Sequence, residues 1–172
     1  FRSGSAITFG GLVGRTGGTI NNSYYDKTST GQANAVGDGT GTVNAADITI
    51  ANRYSRNGYS NLGTWSLLAG TTNVYVAKDA SNQNQWVMIE GQTRPFLWSE
   101  YSTNINNLHQ LQLMAVDLTK NYTVHHNIDA TATNGVNTSD MWSTAGFSPI
   151  GTYGNEFKGK FDGLNHTISN LY

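Results

Sequence analysis

Residues 7–26 read ITFGGLVGRTGGTINNSYYD and set the expectation for the fold. Short apolar patches alternate with glycines in this stretch: Ile7 to Phe9, Leu12 with Val13, Thr19 with Ile20, and Tyr24 with Tyr25. Each glycine can turn the chain sharply, because glycine reaches positive φ without strain. Short strands separated by such turns are typical of a coil in a β-solenoid, where each strand pairs with the next coil about 4.8 Å away.

The far end of the chain repeats part of this stretch. Residues 164–172 read LNHTISNLY, and both stretches contain the pattern Thr-Ile-x-Asn-x-Tyr. It is carried by Thr19, Ile20, Asn22 and Tyr24, and again by Thr167, Ile168, Asn170 and Tyr172. A coil cannot bury its own apolar side chains, so stacked coils place like residues above one another. The repeat therefore predicts stacking, with chance in a chain rich in Thr and Asn as the alternative.

One or two short helices are expected to interrupt the coils. Around 107–118, Leu108, Leu111, Ala115 and Leu118 fall on one stripe at helical spacing, and Asn106 or Asn107 can cap the first turn. Around 45–55, the segment that contains DITIAN reads equally well as a third copy of the repeat or as a short helix after a Thr42 cap. After the second helix, Tyr122, Val124, Asn127 and Ile128 predict a strand that restarts the coils.

The most apolar part of the chain is QWVMIEGQTRPFLWSEY, which begins at Gln85. We expect a turn at Gly91 and place Pro95 near a strand edge or boundary. Six residues of this segment are predicted to be core: Trp86, Val87, Ile89, Phe96, Leu97 and Trp98.

Composition narrows the class of protein. The 172 residues fit one domain, and only 12% of them are charged, against about 25% in an average protein. The net charge is −1 and the basic residues are scattered, so no patch can neutralise a run of phosphates. No stretch approaches the roughly 20 apolar residues that span a bilayer. Neither nucleic acid nor membrane insertion is expected, and the absence of cysteine removes disulfides and thiolate sites.

Catalytic and metal-binding patterns are missing from the sequence. The carboxylates that a polysaccharide-active enzyme would need are isolated among Gly, Asn and Thr: Asp26, Asp117, Asp129, Asp140, Glu156 and Asp162. Asp129 and Asp162 are better interpreted as turn residues that hydrogen-bond to the backbone. Adjacent His125 and His126 would face opposite sides of a strand, and His109 and His166 lack partners at ligand spacing. No nucleotide or cofactor motif occurs, so we expect no catalytic residue, metal or cofactor.

Two blocks of the sequence resemble the GLUG-type repeat of large exported bacterial surface proteins, which has a Gly-Leu-Val-Gly core. The first block matches through Gly10, Gly11, Leu12, Val13 and Gly14, then 18–24 and 28–32. The second resembles the segment that opens such repeats, through 127–129, Trp142, 146–151, 157–163 and 166–171. The linking stretch 86–118 is similar to the joint between blocks in filamentous haemagglutinin-like, two-partner-secreted exoproteins of Gram-negative bacteria.

The resemblance implies an all-β dominated fold, a right-handed parallel β-helix that forms the shaft of a secreted adhesin or biofilm-matrix protein. Residues 1–98 would be the end of one solenoid block, and residues 99–172 a helix plus the start of the next, within one continuous structural unit. The partners implied are adjacent repeats of a longer parent chain, surface or matrix glycans, and a host receptor. We expect an extracellular or cell-surface location, continuation beyond Tyr172 and possible end-to-end self-association.

Two other functions stay open. A glycan-binding module would use aromatic side chains outside the core to stack on sugar rings. The candidates are Tyr59, Trp65, Trp98, Tyr101 and Tyr153. The third reading is a β-helix enzyme acting on polysaccharides, which the isolated carboxylates disfavour.

Overall fold

The computed structural model describes residues 8–134 and 141–172, and Ile7 and Asp140 lie outside them. The structure is β-rich, as the sequence predicts, but its strands form several small sheets, and no continuous solenoid is found among the described residues. The chain divides into two units, Phe1–Arg53 and Tyr54–Tyr172, which are described separately. Within the described ranges, no helix has the length and apolar character needed to cross a membrane.

Residues 8–53, the described part of the first unit, form four strands and one short helix. They are β1 (Val13–Thr16), β2 (Thr19–Asp26), α1 (Lys27–Thr30), β3 (Val36–Gly39) and β4 (Thr42–Ile48). Strand β1 pairs with β3 and β2 pairs with β4, and both pairs are parallel. Val13 lies opposite Val36 and Thr19 opposite Thr42, so both ladders begin with the same offset along the chain. Two successive passes of the chain therefore lie side by side in register.

Glycines in this unit permit close packing of the two passes. A Cβ atom on Gly39, whose φ is +133°, would lie 1.8 Å from the carbonyl oxygen of Thr16 on the neighbouring strand. A Cβ atom on Gly11 would lie 2.1 Å from the ring of Tyr25, which is buried and donates its hydroxyl hydrogen to the Ala33 carbonyl. Gly39 therefore leaves room for the neighbouring backbone, and Gly11 leaves room for the Tyr25 ring. The sequence predicts only a turn-forming role for these glycines.

In residues 54–134 and 141–172, the described part of the second unit, there are nine strands, one α-helix and four 3₁₀ helices. The strands are β5 (Thr64–Leu67), β6 (Val74–Lys78), β7 (Asn84–Ile89), β8 (Phe96–Leu97), β9 (Asn104–Ile105), β10 (Tyr122–Val124), β11 (Ile128–Asp129), β12 (Phe161–Asp162) and β13 (Ile168–Ser169). The α-helix is α2 (Leu108–Gln112), and the 3₁₀ helices are Arg56–Leu62, Trp98–Glu100, Leu113–Val116 and Thr131–Asn134.

Strands β5 to β8 form a four-stranded antiparallel sheet that the sequence analysis does not predict. The chain reverses between β6 and β7 in a tight turn, where Asp79 accepts hydrogen bonds from the backbone of Ser81 and Gln83. Asn82 adopts a φ of 63° in this turn. A short connection of this kind joins antiparallel strands, whereas parallel strands need a longer crossover. The expectation of solenoid coils in residues 1–98 did not include this hairpin.

The remaining strands of the second unit pair in parallel. Strand β10 lies between β9 and β12, and β11 pairs with β13 so that Ile128 lies opposite Ile168. Asparagine side chains reinforce both ladders. Asn121 accepts a hydrogen bond from the Lys160 backbone at 2.8 Å, and Asn127 accepts one from the Thr167 backbone at 2.9 Å.

The two copies of the repeated pattern share two features of their backbone. Ile20 and Ile168 each lie in a parallel ladder, and each copy's asparagine has a positive φ, 47° at Asn22 and 56° at Asn170. Asn22 falls within a register shift of the β2–β4 ladder, which has the form of a β-bulge. Asparagine tolerates this left-handed region better than most residues, so in each copy it permits a break in the regular strand, inside β2 at Asn22 and after β13 at Asn170.

The predicted helix around 107–118 is confirmed, and the one around 45–55 is wrong. Asn107 caps α2 by accepting a hydrogen bond from the Gln110 backbone, and Leu108, Leu111 and Ala115 are buried. The other segment extends β4 instead, because its pairing with β2 satisfies the backbone and buries Ile48. The 3₁₀ helix that follows begins only at Arg56.

The core of the second unit packs α2 and its 3₁₀ extension against the antiparallel sheet and β9 to β11. Val87, Ile89 and Phe96 are buried as predicted. Leu97 is 44% exposed, so its assignment to the core is wrong, and Trp86 is only partly buried. Phe96 and Leu97 are neighbours in β8, and successive side chains of a strand face opposite sides of the sheet. Burying one of them therefore exposes the other.

Candidate functional site

The five aromatic residues proposed for glycan contact occupy different environments. Tyr59 is only 6% exposed, so the expectation that it lies outside the core is wrong. It lies in the 3₁₀ helix Arg56–Leu62, and its carbonyl accepts a hydrogen bond from the Trp65 indole. Trp65 is half-buried, and Tyr153 is fully exposed. Trp98 and Tyr101 are half-buried and lie together.

Trp98 and Tyr101 line a shared groove of about 380 Å³. Its other walls are the loop 68–71, which follows β5, and the segment 116–119, which follows the helical region. Most of the lining is apolar, and the polar side chains are those of Thr71, Asp117 and Thr119. We call this site the Trp98 groove. Apolar walls with a few polar groups are typical of small-molecule sites, whose volumes are about 300–1,000 Å³.

The 3₁₀ turn that carries the two rings is anchored to α2. Glu100 accepts a hydrogen bond from the Leu97 backbone at 3.0 Å and contacts His109 Nδ1 of α2 at 2.6 Å. The Tyr101 backbone N–H bonds to the Trp98 carbonyl at 3.1 Å. The centroids of the Trp98 and Tyr101 rings are 6.0 Å apart, and the ring planes are tilted by 37°. These contacts hold the turn that carries the Trp98 and Tyr101 rings in place without a ligand.

The Tyr122 hydroxyl connects two residues that line the groove, Tyr101 and Asp117. Tyr122, which is fully buried in β10, donates its hydroxyl hydrogen to the Asp117 carbonyl at 2.7 Å. Its oxygen lies 3.1 Å from the Tyr101 hydroxyl. Because the Tyr122 hydrogen is already engaged, Tyr101 is the donor in this second bond. Burial raises the pKa of Tyr122 well above its usual value, so the hydroxyl stays neutral.

Asp117 contributes a carboxylate to the groove. The Thr119 hydroxyl and backbone donate to Asp117 Oδ1 at 2.7 and 2.9 Å. The bond from the Thr119 side chain is the main reason why the pKa of Asp117 is lowered from its ordinary value. An ionised carboxylate has about four acceptor positions, so these two bonds leave capacity for further donors.

Replacing Tyr122 by phenylalanine is expected to lower the free energy of unfolding of the second unit by about 1–3 kcal/mol. The Asp117 carbonyl and the Tyr101 hydroxyl both lose their bonds to Tyr122. Replacing Tyr101 by phenylalanine is the matched control, because it removes only one bond, from a half-buried hydroxyl. Urea titration followed by tryptophan fluorescence measures both. A loss in Tyr122→Phe no larger than in Tyr101→Phe would contradict this hydrogen-bond order.

A second groove, of about 540 Å³, lies beside the start of α2 and is lined by Asn106, Asn107, His109, Asn127, Asp129 and Trp142 among others. Its polar groups already serve the fold. Asn107 caps α2, Asn127 bonds to the Thr167 backbone, and Asp129 accepts hydrogen bonds from Thr131 and Asn170. This groove is consequently the weaker candidate for a ligand.

The carboxylates and histidines of the described residues behave mainly as structural groups. Asp162 accepts a hydrogen bond from the Leu164 backbone and Asp129 one from the Thr131 backbone, which confirms their interpretation as turn residues. His126 and His166 lie with ring centroids 6.4 Å apart. Among the residues that the structure describes, no group of three acidic or histidine side chains is placed to hold a metal ion.

Sequence reasoning found Trp98 and Tyr101 separately but not the groove that joins them. Asp117 entered the sequence analysis only as an isolated acid, and Tyr122 only as a strand residue. One local signal was available in the sequence. Three polar residues follow the end of the helical region within six positions, namely Asp117, Thr119 and Tyr122. The contribution of the loop 68–71 carries no sequence signal, because it depends on how the antiparallel sheet packs.

The resemblance to the GLUG-type repeat stays a prediction based on the motifs quoted above. No protein-family model matches the chain, and comparisons with curated proteins and with solved structures give no match.

Proposed function

We propose that this chain is a structural segment of a large secreted bacterial surface adhesin or biofilm-matrix protein, and that it holds a binding region away from the cell. In this proposal the parallel ladders are rungs of a right-handed β-helix, and the antiparallel sheet β5–β8 is an insertion. The adhesin context rests on the resemblance to GLUG-type repeats and filamentous haemagglutinin-like exoproteins. Those families also supply the expectation of an extracellular location.

The observation that carries the proposal is the parallel pairing of successive passes of the chain. In the first unit two ladders share one offset, and in the second unit Ile128 lies opposite Ile168. Parallel pairs require the chain to cross over and return in the same direction. Such crossovers are right-handed in about 98% of cases, which supports the proposed hand of the helix.

The surface composition also supports a scaffold. Low charge and abundant Asn, Thr, Ser and Gly suit an exterior built from turns. Among the described residues, β12 and β13 each pair on one side only. An unpaired strand edge is a template for another strand, so adjacent repeats of the parent chain are the partners that these edges fit best.

Joining copies of the chain in tandem tests the scaffold proposal. In a solenoid each repeat is stabilised by its neighbours, so stability rises with the number of repeats. We expect chains of two and four copies to unfold at higher urea concentrations than a single copy, and to lengthen by equal increments in electron micrographs. Unfolding midpoints that do not change with copy number would show that the copies fold independently, which would contradict the proposal.

Two alanine variants provide a matched pair for this experiment. Gly39→Ala in every copy places a Cβ atom against the Thr16 carbonyl, so it should weaken the rungs and lower the midpoint. Gly17→Ala meets nothing within 4 Å and should leave the midpoint nearly unchanged. Equal midpoints for the two variants would show that close packing of successive passes does not set the stability.

A further inference from the structure

Two aromatic residues and one acidic residue, Trp98, Tyr101 and Asp117, line the Trp98 groove. We propose that it binds a neutral saccharide of one or two rings through Trp98, Tyr101 and Asp117. A volume of about 380 Å³ lies near the lower end of the range for ligand sites, which suits a ligand of this size. The inference stands on the groove alone and does not depend on the scaffold proposal.

The aromatic pair supplies the apolar part of the site. The C–H face of a sugar ring is apolar and packs against an aromatic face, and the Trp98 and Tyr101 rings belong to one anchored turn. The Tyr101 hydroxyl is already hydrogen-bonded to the Tyr122 hydroxyl. Tyr101 therefore offers its ring, and not its hydroxyl, to the groove.

The polar groups select hydroxyl groups. Within the part of the chain that the structure describes, the Trp98 indole N–H has no hydrogen-bond partner. This donor can therefore bond to an acceptor on a ligand. The Asp117 carboxylate is acceptor-only and retains capacity beyond its bonds to Thr119. A sugar hydroxyl both donates and accepts. It can therefore satisfy either group, and two hydroxyls on one ring can satisfy both.

Other ligand classes fit less well. An acidic sugar would bring a second negative charge beside Asp117, which costs energy in a partly desolvated site. A proline-rich peptide presents mainly carbonyl acceptors, which a carboxylate cannot bond. A quaternary ammonium would suit the rings and Asp117, but it has no acceptor for the Trp98 N–H.

Binding is best measured by NMR, because the indole N–H of Trp98 reports directly on the groove. Neutral probes are glucose, galactose, mannose, N-acetylglucosamine and cellobiose, and the comparators are glucuronate and choline. We expect at least one neutral probe to shift the Trp98 indole signal saturably, with much weaker effects of both comparators. Trp98→Ala should lower the affinity about tenfold or more, read from the Gly70 and Thr119 amide signals.

Three further variants make the test specific. Tyr153→Ala removes a fully exposed aromatic outside the groove and should bind as the unmodified chain does. Trp98→Phe keeps a ring but removes the N–H, and Asp117→Asn keeps the shape but removes the charge, so both should lose part of the affinity. Circular dichroism establishes that each variant is folded. If Trp98→Ala alone fails to fold, these last two variants carry the test.

The proposal is overturned by any of three results. The first is no neutral probe shifting the Trp98 indole at about 50 mM, well above the millimolar range of weak ligands. The second is equal binding in Trp98→Phe, Asp117→Asn and the unmodified chain. The third is preference for choline or glucuronate over every neutral sugar, which would assign the groove to a charged ligand.

Discussion

Gln112→Glu is expected to lower the free energy of unfolding of the second unit by about 3 kcal/mol at pH 7. Gln112 is completely buried at the end of α2. Its Oε1 accepts hydrogen bonds from the Trp142 indole and the Ser148 backbone, both at 2.9 Å, and its Nε2 donates to the Ser148 carbonyl at 2.9 Å. This one side chain joins the helix to the segment 142–148.

Glutamate has nearly the same shape but cannot complete this network when ionised. One carboxylate oxygen can still accept from Trp142 and Ser148, but the other would face the Ser148 carbonyl oxygen, where no hydrogen remains to share. A negative charge would also be buried without a cation among the partners that the structure shows for Gln112. Both effects disfavour the charged form in the folded state.

The pH dependence distinguishes this mechanism from simple loss of packing. We expect the pKa of the new carboxyl group to rise above its usual value of about 4.3 in the folded state. Protonated glutamate can donate to Ser148 as glutamine does, so the deficit should be small below about pH 4.3 and grow as the pH rises. Urea titrations from pH 4 to pH 8, followed by tryptophan fluorescence, measure this trend.

Gln112→Met is the matched control. It fills a similar volume, leaves the Trp142 and Ser148 groups without their partner, and introduces no titratable group. Its deficit, about 1–3 kcal/mol per unsatisfied group, should therefore vary little with pH relative to the unmodified chain. A glutamate deficit that is also constant from pH 4 to pH 8 would contradict the buried network.

Arg53→Met is expected to destabilise the first unit by about 3–5 kcal/mol, the range for breaking a buried ion pair. The Arg53 side chain is 1% exposed, and its Nη2 lies 3.2 and 3.4 Å from the two carboxylate oxygens of Asp26. Asp26 also caps α1 by accepting hydrogen bonds from the Thr28 and Ser29 backbones at 3.0 Å. Removal of Arg53 leaves the buried carboxylate without this cation.

Arg15→Met is the control, because Arg15 pairs with Asp38 at 3.3 Å on the surface. Exposed pairs contribute only about 0–1 kcal/mol, so this variant should change stability little. All four tryptophans lie in the second unit, so amide hydrogen exchange of β2 and β4 is the suitable measurement. Similar exchange rates in the two variants would show that the buried pair does not stabilise these strands.

The sequence predicted those parts of the fold that depend on neighbouring residues. The Asn107 cap, the buried stripe from Leu108 and the strand Tyr122–Val124 follow from local spacing. The helix around 45–55 failed because Thr42, Ala45 and Ala46 permit a helix as well as a strand, and pairing with β2 decides between them. The antiparallel sheet was missed because its hairpin turn, KDASNQN, lacks the usual Asn-Gly or Asp-Gly pair.

The candidate site was harder to predict because its parts are distant in sequence. Composition identified aromatic residues suited to glycan contact, but burial decides which are available, and Tyr59 proved to be core. The Trp98 groove combines residues from 68 to 119, and the Gln112 network joins residues 30 and 36 positions apart. Such contacts depend on tertiary packing, which no local pattern encodes.

The hydrogen bonds of Asn121 and Asn127 determine how β12 aligns with β10 and how β13 aligns with β11. Asn121 holds the Lys160 amide and Asn127 the Thr167 amide, so alignment is specified at the points of departure and return. The segment between these contacts can therefore change in length without altering the alignment of the strands. Lengthening an exposed loop within it costs little conformational entropy. The exposed residues 152–154 of this segment are therefore a natural place to insert a new loop while the ladders stay unchanged.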